Sequence, residues 1–193
     1  MRDDNGRVPL QRGCLKLGGD RTNWFKRPLS PLLISLRMSE NDFHLAQVNI
    51  ARLIEPLDAE RLVDFVAALD PVNAAADAAP GFVWRLKTEE GNATTLSAFD
   101  WDRDGSVGAL TNMSVWESFE ALKEFVYGPT HREIMRGRRQ WFFRAAEPMT
   151  ALWWIPRGTY PSLVDAEEKI RSIRQNGSSP MAFDFKRPYA PTD

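Results

Sequence analysis

The stretch FHLAQVNIARL, residues 43–53, decides the fold. Side chains along a strand point alternately to the two faces of a sheet. From Phe43 to Ile50 both alternating sets are uncharged, and one of them includes the amides of Gln47 and Asn49. The stretch therefore predicts a strand covered on both faces, with two amides among the apolar groups of one face.

The segments after this strand show helical and strand patterns in turn. Apolar residues recur at three- and four-residue spacing in the helical segments, and Pro or Gly residues end several of them. The predicted elements are a helix over 58–79, strands over 82–88 and 109–116, helices over 119–127 and 130–145, a strand over 150–155 and a helix over 161–176. This is the βαββαβ order of a ferredoxin-like α+β fold, an antiparallel sheet with helices on one face, followed by an extra C-terminal helix.

A four-stranded sheet of this kind leaves its second face open to solvent unless something covers it. Because the strands carry side chains suited to burial on both faces, we expect a cover, either a partner's sheet or the C-terminal helix. Dimerisation is the more economical explanation, and it predicts a homodimer.

Composition excludes several classes of protein. The 193 residues include 25 Lys and Arg against 26 Asp and Glu, so the chain lacks the basic excess of a protein that binds nucleic acid through charge. Its single cysteine allows neither an internal disulfide nor a thiolate metal site. No apolar run approaches the roughly 20 residues of a membrane-spanning helix. We therefore expect a cytoplasmic protein with neither a nucleic-acid nor a membrane partner.

The loop DWDRDG, residues 100–105, matches the first half of a calcium-binding loop. The twelfth position is Thr111 where such loops carry a bidentate glutamate, and predicted strands flank the loop where helices are usual. We therefore expect an ordinary polar loop and no bound metal.

Charge and composition divide the chain into three parts. Residues 1–42 carry eight basic and five acidic side chains, are rich in Gly, Pro and Arg, and show no periodicity. We interpret them as a disordered extension, or, up to residue 37, as sequence that precedes a true start at Met38. The folded domain is predicted over 43–185, with a tail over 186–193.

Five segments carry a resemblance to known proteins: HLAQVNIARL at 44–53, PGFVWRL at 80–86, NMSVWESFEALKEFVY at 112–127, HREIMRGRRQWF at 131–142 and ALWWIPRG at 151–158. Through them the chain resembles the dimeric α/β-barrel superfamily and, within it, the domain of unknown function 3291 family. More distantly it resembles antibiotic-biosynthesis monooxygenases and haem-degrading oxygenases, in which a deep pocket lies between the sheet and the helices of each subunit. The resemblance implies a homodimer with such a pocket, but a fold alone does not assign chemistry.

His131 is the first candidate for a functional residue. On a helix it shares a face with Ile134, Trp141 and Phe142, so its imidazole is expected to point inward. The haem-degrading relatives place an axial histidine on the corresponding helix and an asparagine on the first strand, and His131 and Asn49 match those places. His131 is therefore a buried structural histidine, an acid–base or substrate-contacting residue, or a haem ligand.

The same relatives carry a tryptophan on the short helix before that histidine. This chain has Phe125 nearby and a shorter connection through Gly128 and Pro129. The difference argues against haem breakdown. We therefore expect no cofactor, with haem held through His131 as the alternative.

Arg138 follows His131 on the apolar face of the same predicted helix. A guanidinium inside a protein needs an acidic partner or an anionic ligand. The two interpretations are a salt bridge to Glu117, Glu120 or Glu147, and recognition of a carboxylate, phenolate or phosphate.

Polar side chains lie on one face of two neighbouring strands: Gln47 and Asn49 on the first, and Asn112, Ser114 and Trp116 on the third. Buried amides must be hydrogen-bonded, so these amides are either internal supports or groups that orient a ligand. Two strands that both present polar groups on one face predict a polar-lined pocket.

The sequence thus predicts a pocket that binds a small aromatic or otherwise apolar molecule. We expect a monooxygenase-like enzyme in which Asn49, Trp116 and His131 are catalytic, the amide and the indole holding a substrate anion while His131 moves the proton. The predicted substrate-binding residues are Gln47, Trp84, Asn112, Ser114, Phe125, Arg138 and Trp141. The alternatives are a non-catalytic ligand-binding or structural homodimer, and a haem-binding protein.

Overall fold

The structure, a computed structural model, describes residues 39–192 except 90, 92, 95–97, 103 and 104. The extension predicted over 1–42 lies outside the described residues, apart from its last four. Those four include a short 3₁₀ turn, Glu40–Asp42, that leads directly into the first strand.

Four strands and four α-helices form the described part of the domain. They are β1 (Phe43–Arg52), α1 (Val63–Asp77), β2 (Phe82–Arg85), β3 (Ala109–Trp116), α2 (Phe119–Tyr127), α3 (Pro129–Trp141), β4 (Thr150–Pro156) and α4 (Leu163–Asn176). The strands pair antiparallel in the order β2-β3-β1-β4. The ferredoxin-like α+β fold with an extra C-terminal helix is therefore confirmed. None of the helices in the described residues is both long and apolar enough to cross a membrane.

Local sequence signals separate α2 from α3. The Ser118 side chain caps α2 by accepting a hydrogen bond of 3.1 Å from the backbone N–H of Ala121. At Gly128 the helix stops, and a Cβ there would lie only 3.0 Å from the carbonyl oxygen of Glu124. Pro129 then begins α3. The break leaves the last carbonyl groups of α2 in need of partners outside their own helix.

One face of the sheet, here called the closed face, lies under α4. Its core comprises Ala46, Val48, Ile50, Met113, Val115, Ala151, Trp153 and Ile155 from the sheet, and Ala166, Ile170 and Ile173 from α4. All of these side chains are buried. Of the two covers that the sequence allows, the structure shows the C-terminal helix. A homodimer stays a prediction, and the closed face does not require one.

The opposite face, here called the cavity face, lies under α1, α2 and α3. Its apolar residues form two clusters, one around Leu45, Trp116 and Leu122 and the other around Leu62, Phe65 and Trp141. Helices therefore flank both faces of the sheet, three on the cavity face and α4 on the closed face.

The residues after 185, predicted as a tail, belong to the domain at least as far as Tyr189. The backbone of Phe183 pairs with Leu152 at the outer edge of β4. The carbonyl oxygen of Tyr189 accepts a 2.7 Å hydrogen bond from Trp154 Nε1, and the Tyr189 hydroxyl donates to the carbonyl of Ser178 at 3.0 Å. This C-terminal segment therefore leads from α4 to the edge of the sheet.

A group of charged residues anchors the margin of the closed face. Asp102, 3% exposed, accepts hydrogen bonds of 2.6 Å from Nη2 of Arg52 and from Nη1 of Arg174. Glu147 also pairs with Arg52 and lies 4.0 Å from Arg174 Nη1. Burial alone would raise the pKa of Asp102, but the hydrogen bonds from the two arginines hold it below its ordinary value. This carboxylate of the calcium-like loop therefore binds two guanidinium groups.

Candidate functional site: a cavity between the sheet and three helices

A cavity of about 270 Å³ lies between the cavity face and helices α1–α3. The sheet contributes Gln47, Asn49, Asn112, Ser114 and Trp116 to its wall. The rest of the wall is mostly apolar, and it contains no Asp or Glu among the described residues. A largely apolar concavity with a few polar groups is typical of a small-molecule site, and this one is close to the lower end of the usual range of about 300–1,000 Å³.

The structure brings every predicted site residue except Trp84 to this cavity. Those that line it are Gln47, Asn49, Asn112, Ser114, Trp116, Phe125, His131, Arg138 and Trp141. They come from β1, β3, α2 and α3, so the fold gathers residues that are far apart in sequence.

Trp84 lies on the other side of the sheet because β2 is irregular. Phe82 pairs with Trp116, but Trp84 pairs with Val115, the next residue along β3, and the register shifts between them. Such a bulge turns the following side chain to the opposite face. Trp84 therefore packs against the closed-face core and against Tyr160, with 5.4 Å between ring centroids. Trp84 therefore does not line the cavity with the other predicted substrate-binding residues.

A chain of hydrogen bonds fixes the polar end of the cavity wall. Trp116 Nε1 donates to Ser114 Oγ at 2.9 Å, and Ser114 Oγ donates to Gln47 Oε1 at 2.9 Å. Trp116, Ser114 and Gln47 are 1%, 7% and 7% exposed. Because the indole can only donate, the serine hydroxyl proton is free to go to the amide oxygen of Gln47. The Gln47 amide nitrogen has no acceptor among the described residues, so it is the donor that this end offers to a ligand.

In Asn49 it is the amide nitrogen, and not the oxygen, that is hydrogen-bonded within the protein. Its Nδ2 donates to Thr150 Oγ1 at 2.8 Å and to the carbonyl oxygen of Met149 at 3.3 Å. Its Oδ1 is therefore the atom available to a ligand, as an acceptor. Asn112, the register partner of Asn49 on β3, is exposed and lies toward the open end of the cavity.

His131 is oriented by the break between α2 and α3. Its Nδ1 lies 3.0 Å from the carbonyl oxygen of Val126, at the end of α2. Since a carbonyl only accepts, Nδ1 carries the proton and Nε2 is the basic nitrogen of the neutral ring. Burial lowers the pKa of His131, and the hydrogen bond to Val126 offsets part of that effect. His131 is thus neutral near pH 7 and able to accept a proton at Nε2.

Aromatic rings connect His131 to the buried end of the sheet. The ring of Phe125 stacks on Trp116 at 5.1 Å between centroids and lies 5.6 Å from the imidazole of His131. At the other end of α3, Trp141 packs over Gly137, where a Cβ would lie 2.6 Å from Cζ2 and 2.9 Å from Cζ3 of the indole. The absence of a side chain at Gly137 therefore leaves room for the Trp141 ring in the wall.

Arg138 lies at the open end of the cavity and is exposed. Its Nη1 donates to the carbonyl of Met135 at 3.0 Å, and it makes no ion pair with an acidic residue in the described part of the chain. Glu147, one of its expected partners, pairs instead with Arg52. The expected salt bridge is absent there because the guanidinium is solvated and needs no internal partner.

Sequence reasoning missed the contribution of α1. Phe65, Leu69 and Asn73 lie on one face of this helix and line the cavity opposite the sheet. Their four-residue spacing identifies the inward face of α1, and it could have marked them as wall residues. Arg85 also lines the cavity but is bound by Asp77, with Nε 2.8 Å from Oδ1.

Haem fits this cavity poorly. His131 could present Nε2 to an iron, as haem proteins require. The cavity of about 270 Å³ is nevertheless below the usual range of small-molecule sites, which counts against a macrocycle as large as haem. No group of three or more His, Cys, Asp or Glu side chains in the described residues is arranged to hold a metal ion. We therefore assign haem no role in the chemistry below.

Comparisons with known proteins place the chain in a family. No curated protein matches it significantly. Among solved structures it is similar to a conserved protein from Methanosarcina mazei Go1, with 10% identity over 61% of this chain and 95% of that one and a TM-score of 0.41. It is also similar to SnoaB, a cofactor-independent oxygenase from Streptomyces nogalater, with 17% identity over 62% of this chain and 98% of that one and a TM-score of 0.37. Residues 44–193 match the domain of unknown function DUF3291, and the chain therefore belongs to that family.

Proposed function

We propose that the protein binds a small, largely apolar aromatic molecule in the cavity and modifies it as a monooxygenase-like enzyme, with His131 as the proton acceptor. The observation that carries the proposal is the contact of His131 Nδ1 with the Val126 carbonyl, which directs the basic nitrogen away from the backbone in a wall that also holds amide groups. A neutral, partly buried imidazole suits general base catalysis near neutral pH.

The hydrogen bonds modify the roles expected of the catalytic residues. Trp116 Nε1 and Asn49 Nδ2 already donate within the protein, so neither is free to stabilise a substrate anion directly. The other side-chain amides that line the cavity are those of Gln47, Asn73 and Asn112. We therefore place Gln47, at the same end of the wall as His131, at the anion, while Trp116 and Asn49 hold the wall in position.

The proposed reaction is oxygenation of a deprotonated substrate by dioxygen. His131 Nε2 takes a proton from the ligand, and the resulting anion supplies the electrons that reduce dioxygen. Overall a CH₂ group becomes a carbonyl, one oxygen atom of dioxygen enters the product, and the other leaves as water with the two hydrogens. This version requires no cofactor.

A non-catalytic ligand-binding protein is the second candidate. Several polar groups of the wall are hydrogen-bonded to each other, as in the Trp116–Ser114–Gln47 chain. A wall fixed in this way suits a binding protein as well as an enzyme. Dioxygen uptake separates the two functions. We expect uptake with aromatic compounds that carry an acidic CH₂ group, and its loss in His131→Asn, whose amide can still donate to Val126. Binding of these compounds with no uptake above the His131→Asn rate would establish the non-catalytic function.

We further propose a cytoplasmic homodimer that binds neither nucleic acid nor membrane. The balance of 25 basic and 26 acidic residues supports the absence of a nucleic-acid partner. Since α4 covers the closed face, the proposed dimer interface lies on another surface. Light scattering at micromolar concentration tests this proposal, and a species of 22.0 kDa would exclude the dimer.

A further inference from the structure

At the buried end of the cavity, the sheet offers a ligand one donor and α3 offers one acceptor. The donor is the amide nitrogen of Gln47, because its Oε1 already accepts from Ser114. The acceptor is Nε2 of His131, because its Nδ1 donates to Val126. One series of contacts links the two residues: Gln47 is hydrogen-bonded through Ser114 to Trp116, and Phe125 lies against both Trp116 and His131.

A ligand hydroxyl has the chemistry that both groups need. It donates its proton to His131 Nε2 and accepts the amide N–H of Gln47 on its oxygen. A carboxylate or a carbonyl has no proton to donate, so it would leave His131 Nε2 facing an oxygen lone pair. An ammonium group has no lone pair for the Gln47 amide. Mispaired polar groups in a site this buried cost binding free energy.

The open end of the cavity has the opposite preference. Arg138 is exposed there, and its only hydrogen bond in the described structure is the one from Nη1 to Met135. The remaining N–H groups of the guanidinium are free to bind an anion in a bidentate manner. Asn112, exposed nearby on β3, adds a further amide.

We infer that the cavity takes a hydroxyaryl acid, with the hydroxyl group between Gln47 and His131 at the buried end and the acid group at Arg138. This inference rests on the proposed function only for the location of the ligand, and it adds the ligand's class and direction. The aromatic body lies between the two ends, against Trp141 and Phe65.

Four naphthalene probes test this inference: hydroxynaphthoate, naphthoate, naphthol and naphthalene dicarboxylate, with substituents at opposite ends of the ring system. Their affinities for the full chain are measured by calorimetry at about pH 8, above the ordinary pKa of histidine. We expect hydroxynaphthoate to bind at least about tenfold more tightly than naphthoate or naphthol, and the dicarboxylate to bind worst.

Two variants test which end of the cavity binds the hydroxyl group and which binds the acid group. His131→Asn keeps a donor for Val126 but removes the acceptor, and we expect the preference for hydroxynaphthoate over naphthoate to fall to about twofold or less. Arg138→Gln should remove the preference for hydroxynaphthoate over naphthol. Arg139→Gln is the matched control, because Arg139 is exposed on the same helix but does not line the cavity. Chemical shift changes confined to the cavity residues verify where the probes bind.

Two results would overturn the inference, and they are distinguishable from each other. If naphthoate or the dicarboxylate binds in the cavity as tightly as hydroxynaphthoate, the assigned direction is wrong while the proposed binding function stands. If no probe binds wild type more tightly than a variant with the cavity filled by Ala51→Phe, the proposed function fails and the inference fails with it.

Discussion

Val48 and Asn49 are neighbours on β1, yet they lie in different environments. Val48 is fully buried in the closed face, in a core of apolar side chains under α4. Asn49 is half-buried on the cavity face, and its amide nitrogen donates hydrogen bonds to Thr150 and Met149 while its amide oxygen remains available. The comparison teaches that one sheet can divide its tasks by face: alternate residues provide stability on one side and a polar-lined site on the other.

The largest expected effect comes from placing each type of residue in the other's environment. Val48→Asn places an amide without partners in the closed core, and we expect it to lower the free energy of unfolding by about 3–5 kcal/mol. Asn49→Val on the cavity face should change it by about 1 kcal/mol or less. Urea unfolding at 25 °C measures both. Equal losses would contradict the division between the two faces.

The ion cluster at the margin of the closed face gives the next largest effect. Asp102→Asn leaves Arg52 buried beside a neutral amide, and we expect a loss of about 3 kcal/mol in the free energy of unfolding. Because the pKa of Asp102 is held below its unfolded value, its contribution is present above about pH 4 and is lost as the pH falls toward the folded pKa.

The variant Asp102→Asn should therefore also flatten the acid limb of the stability curve. Glu167→Gln is a suitable control, since Glu167 contacts the same loop through Trp101 Nε1 but is more exposed and lies outside the arginine pair on Asp102. An unchanged acid limb in Asp102→Asn would mean that other carboxylates set the acid stability.

A smaller effect is expected where the cavity wall is tightest. In Gly137→Ala the new methyl group would overlap the Trp141 indole, which must shift. The better helix propensity of alanine offsets part of the strain, so we expect a net destabilisation of about 1 kcal/mol together with a changed ligand affinity. Gln140→Ala, exposed on the same helix, is the control. Unaltered probe binding in Gly137→Ala would show that Trp141 does not shape the site.

The two histidines provide a finer comparison, since one belongs to each face. Burial lowers the pKa of both, and Arg157, which donates to His44 Nε2, lowers that of His44 further. A lowered histidine pKa means that the folded state binds fewer protons than the unfolded state below about pH 6.5, so stability falls as the pH drops through that value. We expect NMR titration to give both histidines pKa values below about 6.5. We expect His131→Asn to make the free energy of unfolding depend less steeply on pH.

The last prediction is that adding the protein leaves the absorption spectrum of haem unchanged. Haem titrated into the protein should give the spectrum of free haem, because a cavity of about 270 Å³ is small for such a macrocycle. A Soret band that disappears in His131→Asn would reverse this conclusion and restore the haem-binding alternative.

The cavity face could be predicted from the sequence wherever regular geometry holds. The alternation along β1 places Gln47 and Asn49 on one face, and regular pairing with β3 places Ser114 and Asn112 beside them. The bulge in β2 could not be predicted, because FVWR contains no glycine or proline to mark it, and it moved Trp84 to the closed face.

The helices were harder to place than the strands. The spacing of Phe65 and Leu69 identifies a face of α1, but the connection from β1 decides which part of the sheet that face meets. The same limit applies to Arg138, whose exposure depends on how α3 is inclined to the sheet. Periodicity describes an element by itself, and the packing between elements sets the depth of each side chain.

The position of α4 in the chain has a consequence for biosynthesis. The strands that form the closed face are complete at Pro156, but the residues that cover this face, up to Ile173, are synthesised after them. During translation the sheet therefore emerges with Val48, Val115 and their neighbours still open to water, and folding can finish only when α4 leaves the ribosome. A chain that ends shortly after β4 would leave this apolar face uncovered and prone to aggregation, so α4 completes the folded domain.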